Sequence, residues 1–511
     1  YDNVTIKNCN IVEGNTTTNN KYAIYDFLAN DGVIENNTIT TRGIGSTGIY
    51  VYYSSSNIVA NNTVRTHGVS GRGIFAYGAS KWNSIIANNV TTNNTYSAGI
   101  QVRSGANWNT IRNNTIRVSN PTWGYGIFSR EASYTNITGN NINSSSYAIY
   151  VYPTTTQAHL NHSIDRTNTQ GGEPIHYYFS NSSIIIENED NIGLLYLADS
   201  TNITVRNVTL DKQGMILAMS EDSVVANNII SPSSSTGIYV QSDSNSNHIV
   251  NNTITTSDRI GIYMASGPNT VTSNNITTDG ATYAIHVGSN SNVVRFNVIT
   301  TSLNGDGIFI YANSNTISAN NISAGGGAAY GIKLYSTSNA NTLLNNKMSA
   351  PSGISKEIED TTGDSYINYL VYNNSFGEIR WTDTDNGGFL KDLDVVDPIG
   401  LGTNINIQSN LTELNTPAFI SDLSINSSAT VKFYDVITTV PIPIKNGVTC
   451  DDCSAVTNLG GNDYSFNVTG FSNYSIGNNT APVISNFVIN TTDDHNYTNG
   501  TINIYYNVSD A

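Results

Sequence analysis

Hydrophobic and polar positions alternate in short segments along the first 350 residues, and the pattern returns about every 25 residues. One recurring phrase is a small residue, isoleucine, a variable residue that is often aromatic, and an aliphatic residue, as in Gly48-Ile49-Tyr50-Val51. It begins at positions 23, 48, 73, 99, 126, 148, 237, 261, 284, 307 and 331. Alternation over four or five residues, bounded by Ser, Asn and Gly, predicts short β-strands.

A second phrase places an asparagine two residues before an aliphatic residue. Its asparagines stand at positions 37, 62, 88, 114, 140, 227, 252, 274, 297, 320 and 346. A side-chain amide can donate to one neighbouring coil and accept from the other, as in stacked β-strands. Three short strands cannot enclose a core alone, whereas stacked coils bury a continuous aliphatic column. The repeat predicts an all-β fold, a parallel β-helix over residues 1–350 with Tyr50 and Tyr52 facing outward.

These coils resemble the right-handed parallel β-helix superfamily that includes pectate lyases. The block that contains Glu173-Pro-Ile-His-Tyr-Tyr-Phe and Asn202-Ile-Thr-Val-Arg-Asn-Val resembles the NosD-like branch of these repeat proteins, found on archaeal and bacterial surfaces. The resemblance implies a right-handed rod, and the repeat length gives it about 14 coils, with one insertion near residues 153–173. It is informative about fold and poor for function, because common folds host many unrelated activities.

The pattern changes after residue 350. Five basic and 19 acidic residues follow there, so −14 of the net charge of −16 lies in this part. We expect an acidic linker over 351–365, then a β-sandwich over 366–477. Residues 480–511 read as the first strands of a truncated immunoglobulin-like module. Because Tyr1 lies inside patterned sequence, we expect the chain to be an excerpt of a larger protein.

Only 12% of the residues are charged, and basic residues are not clustered. Nucleic acids and anionic membranes bind clustered Lys and Arg, so they are not expected as partners. No apolar run approaches the length of a membrane-spanning helix. The resemblance to surface β-helix proteins and the modular organisation of the chain imply an extracellular or cell-surface protein. Sequons next to the repeated asparagines, such as Asn61 and Asn113, would then be candidate glycosylation sites.

The outward positions of the Gly-Ile strands form two columns rich in aromatic residues. Ring faces suit the apolar faces of sugars, and Arg pairs with carboxylate or sulfate groups through two hydrogen bonds. The alternative is that the rings only stack from coil to coil and stabilise the fold. The candidate residues for binding a polysaccharide, a cell-surface glycan or another surface protein are Tyr50, Tyr52, Phe75, Tyr77, Arg103, Phe128, Arg130, Tyr150 and Tyr152.

The same two columns contain no Asp or Glu. Glycoside hydrolysis requires two carboxylates, and calcium-assisted lyases require clustered Asp with a general base. We therefore favour a structural, adhesive or glycan-binding role without catalysis. The alternative is a polysaccharide lyase, epimerase or hydrolase whose site lies on another face or in the 153–173 insertion.

No cofactor is expected, apart from two hypotheses that concern copper and calcium. NosD-like proteins are associated with copper-site maturation, so a third hypothesis is a copper-accessory protein with His159, His162 and His176 as ligands. An acidic stretch around Asp383 and Asp385 resembles a calcium loop. Gly387 stands where an EF-hand has an acidic ligand, so only another type of calcium site fits.

The three cysteines are Cys9, Cys450 and Cys453. Cys450-Asp-Asp-Cys453 lies in a turn-like context without a second ligand pair or a thioredoxin-like helix. We interpret it as a local disulfide. Cys9 is expected to be a small buried residue.

Overall fold

The computed structural model describes residues 2–14, 19–119, 123–326, 329–335, 338–349, 356–360, 369–381, 405–414, 428–470 and 472–479. These residues form an all-β structure in which the one helical element is a short 3-10 helix, Gln157–Leu160. Two parallel β-helices follow each other along the chain, and an antiparallel β part continues from the second. The acidic loop near Asp383 and the expected immunoglobulin-like strands over 480–511 lie outside the described residues.

The first β-helix has six coils with a strand on each of three faces and a seventh with strands on two. Sheet 1 contains Thr5–Lys7, Val33–Glu35, Ile58–Ala60, Ser84–Ile86, Thr110–Arg112, Asn136–Thr138 and Ser163–Ile164. Sheet 2 contains Asn10–Glu13, Thr38–Thr41, Thr63–Thr66, Asn89–Thr92, Thr115–Val118, Asn141–Ser144 and Thr169–Gln170. Sheet 3 contains the Gly-Ile strands Tyr22–Phe27, Thr47–Tyr52, Arg72–Tyr77, Ala98–Arg103, Tyr125–Arg130 and Ile149–Tyr152.

The second β-helix has seven coils with three described strands each, and its first and last coils have described strands on two faces. Sheet 4 contains Glu173–Phe179, Leu194–Ala198, Met215–Ala218, Ile238–Gln241, Ile262–Met264, Tyr283–Val287, Asp306–Ile310, Tyr330–Leu334 and Lys356–Asp360. Sheet 5 contains Ile185–Glu187, Thr204–Arg206, Val224–Ala226, His248–Val250, Thr270–Thr272, Val293–Arg295, Thr316–Ser318, Thr342–Leu344 and Tyr369–Asn374. Sheet 6 contains Thr209–Leu210, Ile229–Ile230, Thr253–Ser257, Asn275–Asp279, Val298–Ser302, Asn321–Ala324 and Lys347–Ser349.

The predicted asparagine ladder is present. The Asn88 backbone N–H and Nδ2 both donate to Asn114 Oδ1, at 2.9 and 3.0 Å, and Asn114 repeats this towards Asn140. In the second β-helix the ladder residue is Asn228, not Asn227, which lies exposed at a turn with φ of 56°. The sequence prediction was one residue off because Ile229 and Ile230 are both aliphatic. Only Ile230 faces the core, so the ladder asparagine is the residue two positions before it, Asn228.

A second asparagine ladder precedes the strands of sheets 1 and 5. Asn57 N–H donates to Asn83 Oδ1 at 2.9 Å, and Asn83 N–H donates to Asn109 Oδ1 at 2.8 Å. In the second β-helix it runs through Asn247, Asn269, Asn292, Asn315 and Asn341. Both ladders bury amides that are fully hydrogen-bonded, which holds the turns between faces in one register.

The small residue of the Gly-Ile phrase is required by packing. A Cβ atom on Gly99 would lie 2.3 Å from Ile116 Cγ2 and 2.8 Å from the carbonyl oxygen of Gly126. At Gly99 the strand of sheet 3 therefore approaches the core and the next coil too closely for a side chain, whereas Ala148 is accommodated at the corresponding position of the last coil.

The chain reverses direction between the two β-helices instead of continuing through one insertion. Gly171 and Gly172 have φ of 58° and 92°, a conformation that suits glycine, and form a hairpin that pairs Thr169–Gln170 with Glu173–Phe179 antiparallel. In sheet 4, Leu194, Tyr196 and Ala198 join the core of the first β-helix, whereas Leu195 and Leu197 join the core of the second. The first strands of sheet 4 thus serve both cores, which explains their continuous apolar sequence.

The antiparallel part is continuous with the second β-helix. Tyr369–Asn374 pairs parallel with Thr342–Leu344 on one side and antiparallel with Gly377–Trp381 on the other. Ala429–Phe433, Asp463–Val468 and Thr457–Gly460 extend the sheet, and Ile405–Gln408, Leu411–Leu414, Pro441–Lys445, Val448–Thr449 and Tyr474–Asn478 complete the part. Lys356–Asp360, inside the expected linker, is the last strand of sheet 4 because Ile358 is buried in register with Ile332.

Candidate functional site

Six aromatic side chains lie side by side on the outer face of sheet 3. Tyr25, Tyr50 and Phe75 are in register in adjacent coils, as are Phe27, Tyr52 and Tyr77. The Tyr50 and Phe75 ring centroids are 5.0 Å apart with planes 7° apart, and those of Phe27 and Tyr52 are 5.4 Å apart. We call these six residues the ring plate. It contains four of the nine side chains that the sequence proposed for binding.

Two of the proposed side chains are buried, although the sequence predicted that they lie exposed on the outer face of the coils. Phe75 is 7% exposed because its ring packs between Tyr50 and the guanidinium of Arg72, whose Cζ lies 4.8 Å from the ring centroid. Tyr150 is 2% exposed because the second β-helix covers it, and its hydroxyl donates to Gln241 Oε1 at 2.8 Å.

The remaining proposed residues continue the face towards the second β-helix. Arg103 and Arg130 are register partners in neighbouring strands, and Arg130 Cζ lies 4.9 Å from the Tyr152 ring centroid. Arg130 Nε also lies 3.2 Å from Glu131 Oε1. The hydrogen bond from Ser104, then the nearby arginines, lower the pKa of Glu131. Phe128 stacks on Tyr125 at 4.9 Å.

A cleft of about 390 Å³ opens where the two β-helices meet. Tyr239, Tyr263 and His286 form a stack along sheet 4, with ring centroids 5.0 and 4.3 Å apart and planes within 7° of parallel. We call this space the junction cleft. The first β-helix lines it with Trp123, Tyr125, Ser146, Tyr147 and Tyr150, and the second with Ser234, Ser235, Thr236, Tyr239, Asp258, Arg259, Ile260, Tyr263, Thr282, Tyr283 and His286.

Burial determines the protonation states of the tyrosine and histidine side chains in the junction cleft. Desolvation raises the pKa of Tyr147 to about 12 and also raises that of Tyr263, so both phenols keep their protons at neutral pH. Desolvation lowers the pKa of His286 to about 4, so its ring is neutral there. The Thr282 hydroxyl is buried and lacks a hydrogen-bond partner within the described part of the chain. The cleft thus combines aromatic faces with hydroxyl groups.

The sequence did not identify this cleft, because its walls come from segments far apart in the chain. Ala148 N–H donates to Gln213 Oε1 at 2.8 Å, and Tyr196 donates its hydroxyl to the Val151 carbonyl at 2.5 Å. These contacts connect the two β-helices. Repeat spacing carries no signal for such packing.

A further aromatic row was also missed. Trp82, Trp108 and Tyr134 occupy the same turn in three successive coils and are 58%, 42% and 44% exposed. Their neighbouring ring centroids are 5.7 and 5.3 Å apart. We call these three residues the turn row. Lys81 Nζ lies 5.3 Å from the Trp108 ring centroid.

The three histidines proposed for copper have separate environments. His162 is buried and accepts the Thr135 N–H through Nδ1 at 3.2 Å, so Nε2 carries the proton and donates to Ser129 Oγ at 3.0 Å. His159 Nδ1 bonds Thr154 Oγ1 at 2.5 Å. His176 is buried, with Nδ1 3.4 Å from Glu189 Oε2. Desolvation lowers the pKa of both His162 and His176 to about 4.

Cys450 and Cys453 form a disulfide in the loop between Val448–Thr449 and Thr457–Gly460. Cys9 is exposed, unlike the expectation of a buried residue, because it stands at the outer end of the asparagine ladder, where its N–H donates to Asn37 Oδ1 at 2.9 Å. Within the described ranges, no helix is long and apolar enough to cross a membrane.

Comparisons with known proteins agree with the coil architecture. The family model described as "Right handed beta helix region" matches residues 192–348, and that described as "Periplasmic copper-binding protein (NosD)" matches residues 2–162. No curated protein matches the sequence.

Two solved structures illustrate the structural matches. The tailspike protein of E. coli bacteriophage HK620 in complex with a pentasaccharide is 12% identical, with 93% of this chain and 86% of that chain covered and a TM-score of 0.27. The mannuronan C-5 epimerase AlgE6 A-module of Azotobacter vinelandii is 11% identical, with coverage of 72% and 84% and a TM-score of 0.24. At these values neither structure bears on what this chain binds. The two family matches and the coil-by-coil register make this chain a right-handed parallel β-helix repeat protein.

Proposed function

We propose that this is a secreted or cell-surface protein that binds a polysaccharide or surface glycan in the junction cleft. The observation that carries the proposal is the pair of aromatic walls, with the exposed Trp123 on one β-helix and Tyr263 on the other. A sugar ring has an apolar face of C–H groups and a rim of hydroxyls. The rings offer flat apolar surface for the first, and the exposed carboxylate of Asp258 offers hydrogen-bond acceptors to the second.

A long glycan has room to continue from the cleft along sheet 3. Tyr152 follows Tyr150 by two residues in the same strand and is in register with Arg130, and the ring plate begins three coils away from that strand. The role of the residues proposed from the sequence would then be to hold additional sugars of the same chain. Because these side chains stack on one another, part of their area also stabilises the fold.

An extracellular location fits two features of the chain. A local disulfide such as Cys450–Cys453 persists in oxidising compartments. Exposed sequon asparagines such as Asn61 and Asn113 lie at turns, where a glycan can be attached without disturbing the core.

The test is glycan binding by variants of the cleft. A glycan array identifies an oligosaccharide, and calorimetry then measures its affinity for the wild type, Trp123→Ala, Tyr263→Ala and Trp108→Ala. Trp123 is an exposed residue of the cleft, and Trp108 is an equally accessible control in the turn row. We expect affinity to fall about tenfold in the first two variants and to be unchanged in the third.

Two results would contradict this proposal. Equal losses in all three variants, or none, would place binding outside the cleft. Incubation of the oligosaccharide with the wild type also tests the enzymatic alternative. Shortened, unsaturated or epimerised product would replace the binding role with that of a polysaccharide hydrolase, lyase or epimerase.

A copper-accessory role is the second candidate, favoured by the match of residues 2–162 to the NosD description. Copper analysis of the dialysed protein, with and without His159→Ala, tests it. Stoichiometric copper in the wild type that is lost in the variant would support this role. Absence of copper after loading would reject it.

A further inference from the structure

The Cys450–Cys453 loop contains a third side chain suited to a metal. Asp452 Oδ1 lies 3.1 Å from Cys450 Sγ, and one ligand atom from each of Cys450, Asp452 and Cys453 falls within 4.8 Å of the other two. A disulfide sulfur carries no hydrogen, so this short contact is not a hydrogen bond in the oxidised protein. The carboxylate oxygen is directed at the sulfur without a proton between them.

Neighbouring groups hold the carboxylate in this orientation. Lys445 Nζ lies 2.7 Å from Asp452 Oδ2, and Thr469 Oγ1 donates to the same oxygen at 3.3 Å. Both partners engage Oδ2 and leave Oδ1 facing the sulfurs. Such outer contacts orient ligating carboxylates in metal sites.

The loop is anchored and accessible. Cys450 is 7% exposed and its N–H donates to the Pro443 carbonyl at 2.9 Å, which ties the loop to the strand Pro441–Lys445. Asp452 is exposed, so an ion can reach the site from solvent. Two thiolates and one carboxylate form a donor set that zinc accepts in tetrahedral geometry, with water as the fourth ligand.

We propose that reduction of the Cys450–Cys453 disulfide creates a zinc site formed by both thiolates and Asp452. A phosphine reductant cleaves the S–S bond and donates two electrons. Water supplies the oxygen of the phosphine oxide and the two protons of the resulting thiols. Zinc then displaces both thiol protons into the buffer. The loop is thereby a disulfide under oxidising conditions and a zinc site under reducing ones.

Zinc titration of the full chain tests the proposal, in a Cys9→Ser background that removes the other thiol. The oxidised protein sets the baseline for other zinc ligands. After phosphine reduction we expect one additional zinc per chain, measured by competition with a chromogenic chelator. The expected affinity of Asp452→Asn is at least about tenfold lower, because one ligand is lost while the fold is kept. Cobalt in place of zinc should give a thiolate charge-transfer band that Cys450→Ser abolishes.

Two outcomes would overturn the assignment. If the reduced protein binds no more zinc than the oxidised protein, there is no site. If Asp452→Asn binds zinc as tightly as its parent, the two cysteines act as ligands without the carboxylate. The same conclusion follows if the reduced protein binds only Cu(I) and Asp452→Asn does not weaken the binding of Cu(I). Circular dichroism of each variant, oxidised and reduced, separates loss of zinc from loss of fold.

Discussion

His162 accepts the backbone N–H of Thr135 through Nδ1 at 3.2 Å. In the second asparagine ladder of the same β-helix, Asn109 Oδ1 accepts the backbone N–H of Asn83 in the same way. The histidine therefore takes the place of a ladder asparagine. This relationship gives the imidazole a structural role that its spacing from His159 did not suggest. It also makes the ladder sensitive to acid at this one position.

We predict that His162→Asn changes the pH dependence of stability. The pKa of His162 is lowered to about 4, so the unfolded chain binds more protons between pH 4 and the usual pKa of 6.5. The stability that depends on the neutral ring is complete above 6.5 and is lost as pH falls towards 4. At about pH 5 the protonation of His162 contributes a loss of about 2 kcal/mol to the free energy of unfolding of the wild type, and the variant lacks this contribution while it keeps those of His176 and His286.

Urea unfolding at about pH 7.5 and pH 5 measures the difference between the two proteins. At the higher pH the variant should be slightly less stable, because the hydrogen bond to Ser129 is gone. At the lower pH the order should reverse. An equal difference at both values would mean that His162 is not held neutral by the ladder.

Removal of one ladder amide should be far more costly than removal of an exposed one. Asn114 Oδ1 accepts two hydrogen bonds from Asn88, and its Nδ2 donates to Ile85 and Asn140. Asn114→Ala leaves these buried partners unsatisfied and should lower the free energy of unfolding by about 3 kcal/mol. Asn89→Ala, at an exposed strand position, is the control and should cost less than about 0.5 kcal/mol. If thermal unfolding shows a similar loss of stability for both variants, the buried asparagine ladder does not contribute more to stability than an exposed asparagine.

Gly99→Ala tests the close approach of sheet 3 to the core. The added methyl group would meet Ile116 Cγ2 at 2.3 Å, so neighbouring coils must shift, at a cost of about 1–3 kcal/mol. Gly14→Ala is the matched control, because nothing lies within 4 Å of the added atom. Chemical denaturation of both variants decides the matter. A Gly99→Ala protein as stable as the control would show that the coils have spare room.

Glycan binding in the junction cleft should not depend on pH between about 5.5 and 8. The pKa of His286 is lowered to about 4 by burial, so the ring that stacks on Tyr263 stays neutral over this range. Calorimetry across the range should give affinities within about twofold of one another. A drop centred near the ordinary histidine pKa would show that His286 is charged in the free cleft.

Local sequence patterns were sufficient to predict the coils. The Gly-Ile phrase located the strands of sheet 3 and five of the nine strands of sheet 4, because alternation and the need for a small residue both act within a few residues. The asparagine phrase did not fix the register at Asn227 and Asn228, where two successive isoleucines fit the pattern equally well. The second ladder could have been found from the asparagine before each strand of sheet 1, as at Asn57 and Asn83.

The arrangement of the two β-helices required information that is not local. The reversal depends on Gly171 and Gly172, and the docking depends on Tyr196 reaching Val151, 45 residues earlier in the chain. The junction cleft exists only because of that docking. For the same reason the sequence suggested Tyr150 as an exposed binding residue, whereas the structure buries it at the contact between the two β-helices.

The central claim is that the junction cleft binds a glycan, and a crystal structure of the protein with an array-identified oligosaccharide tests it most directly. We predict sugar density between Trp123 on the first β-helix and the Tyr239–Tyr263 stack on the second, with at least one sugar ring packed on an aromatic face. Density confined to the turn row of Trp82, Trp108 and Tyr134, with the cleft filled only by water, would contradict it.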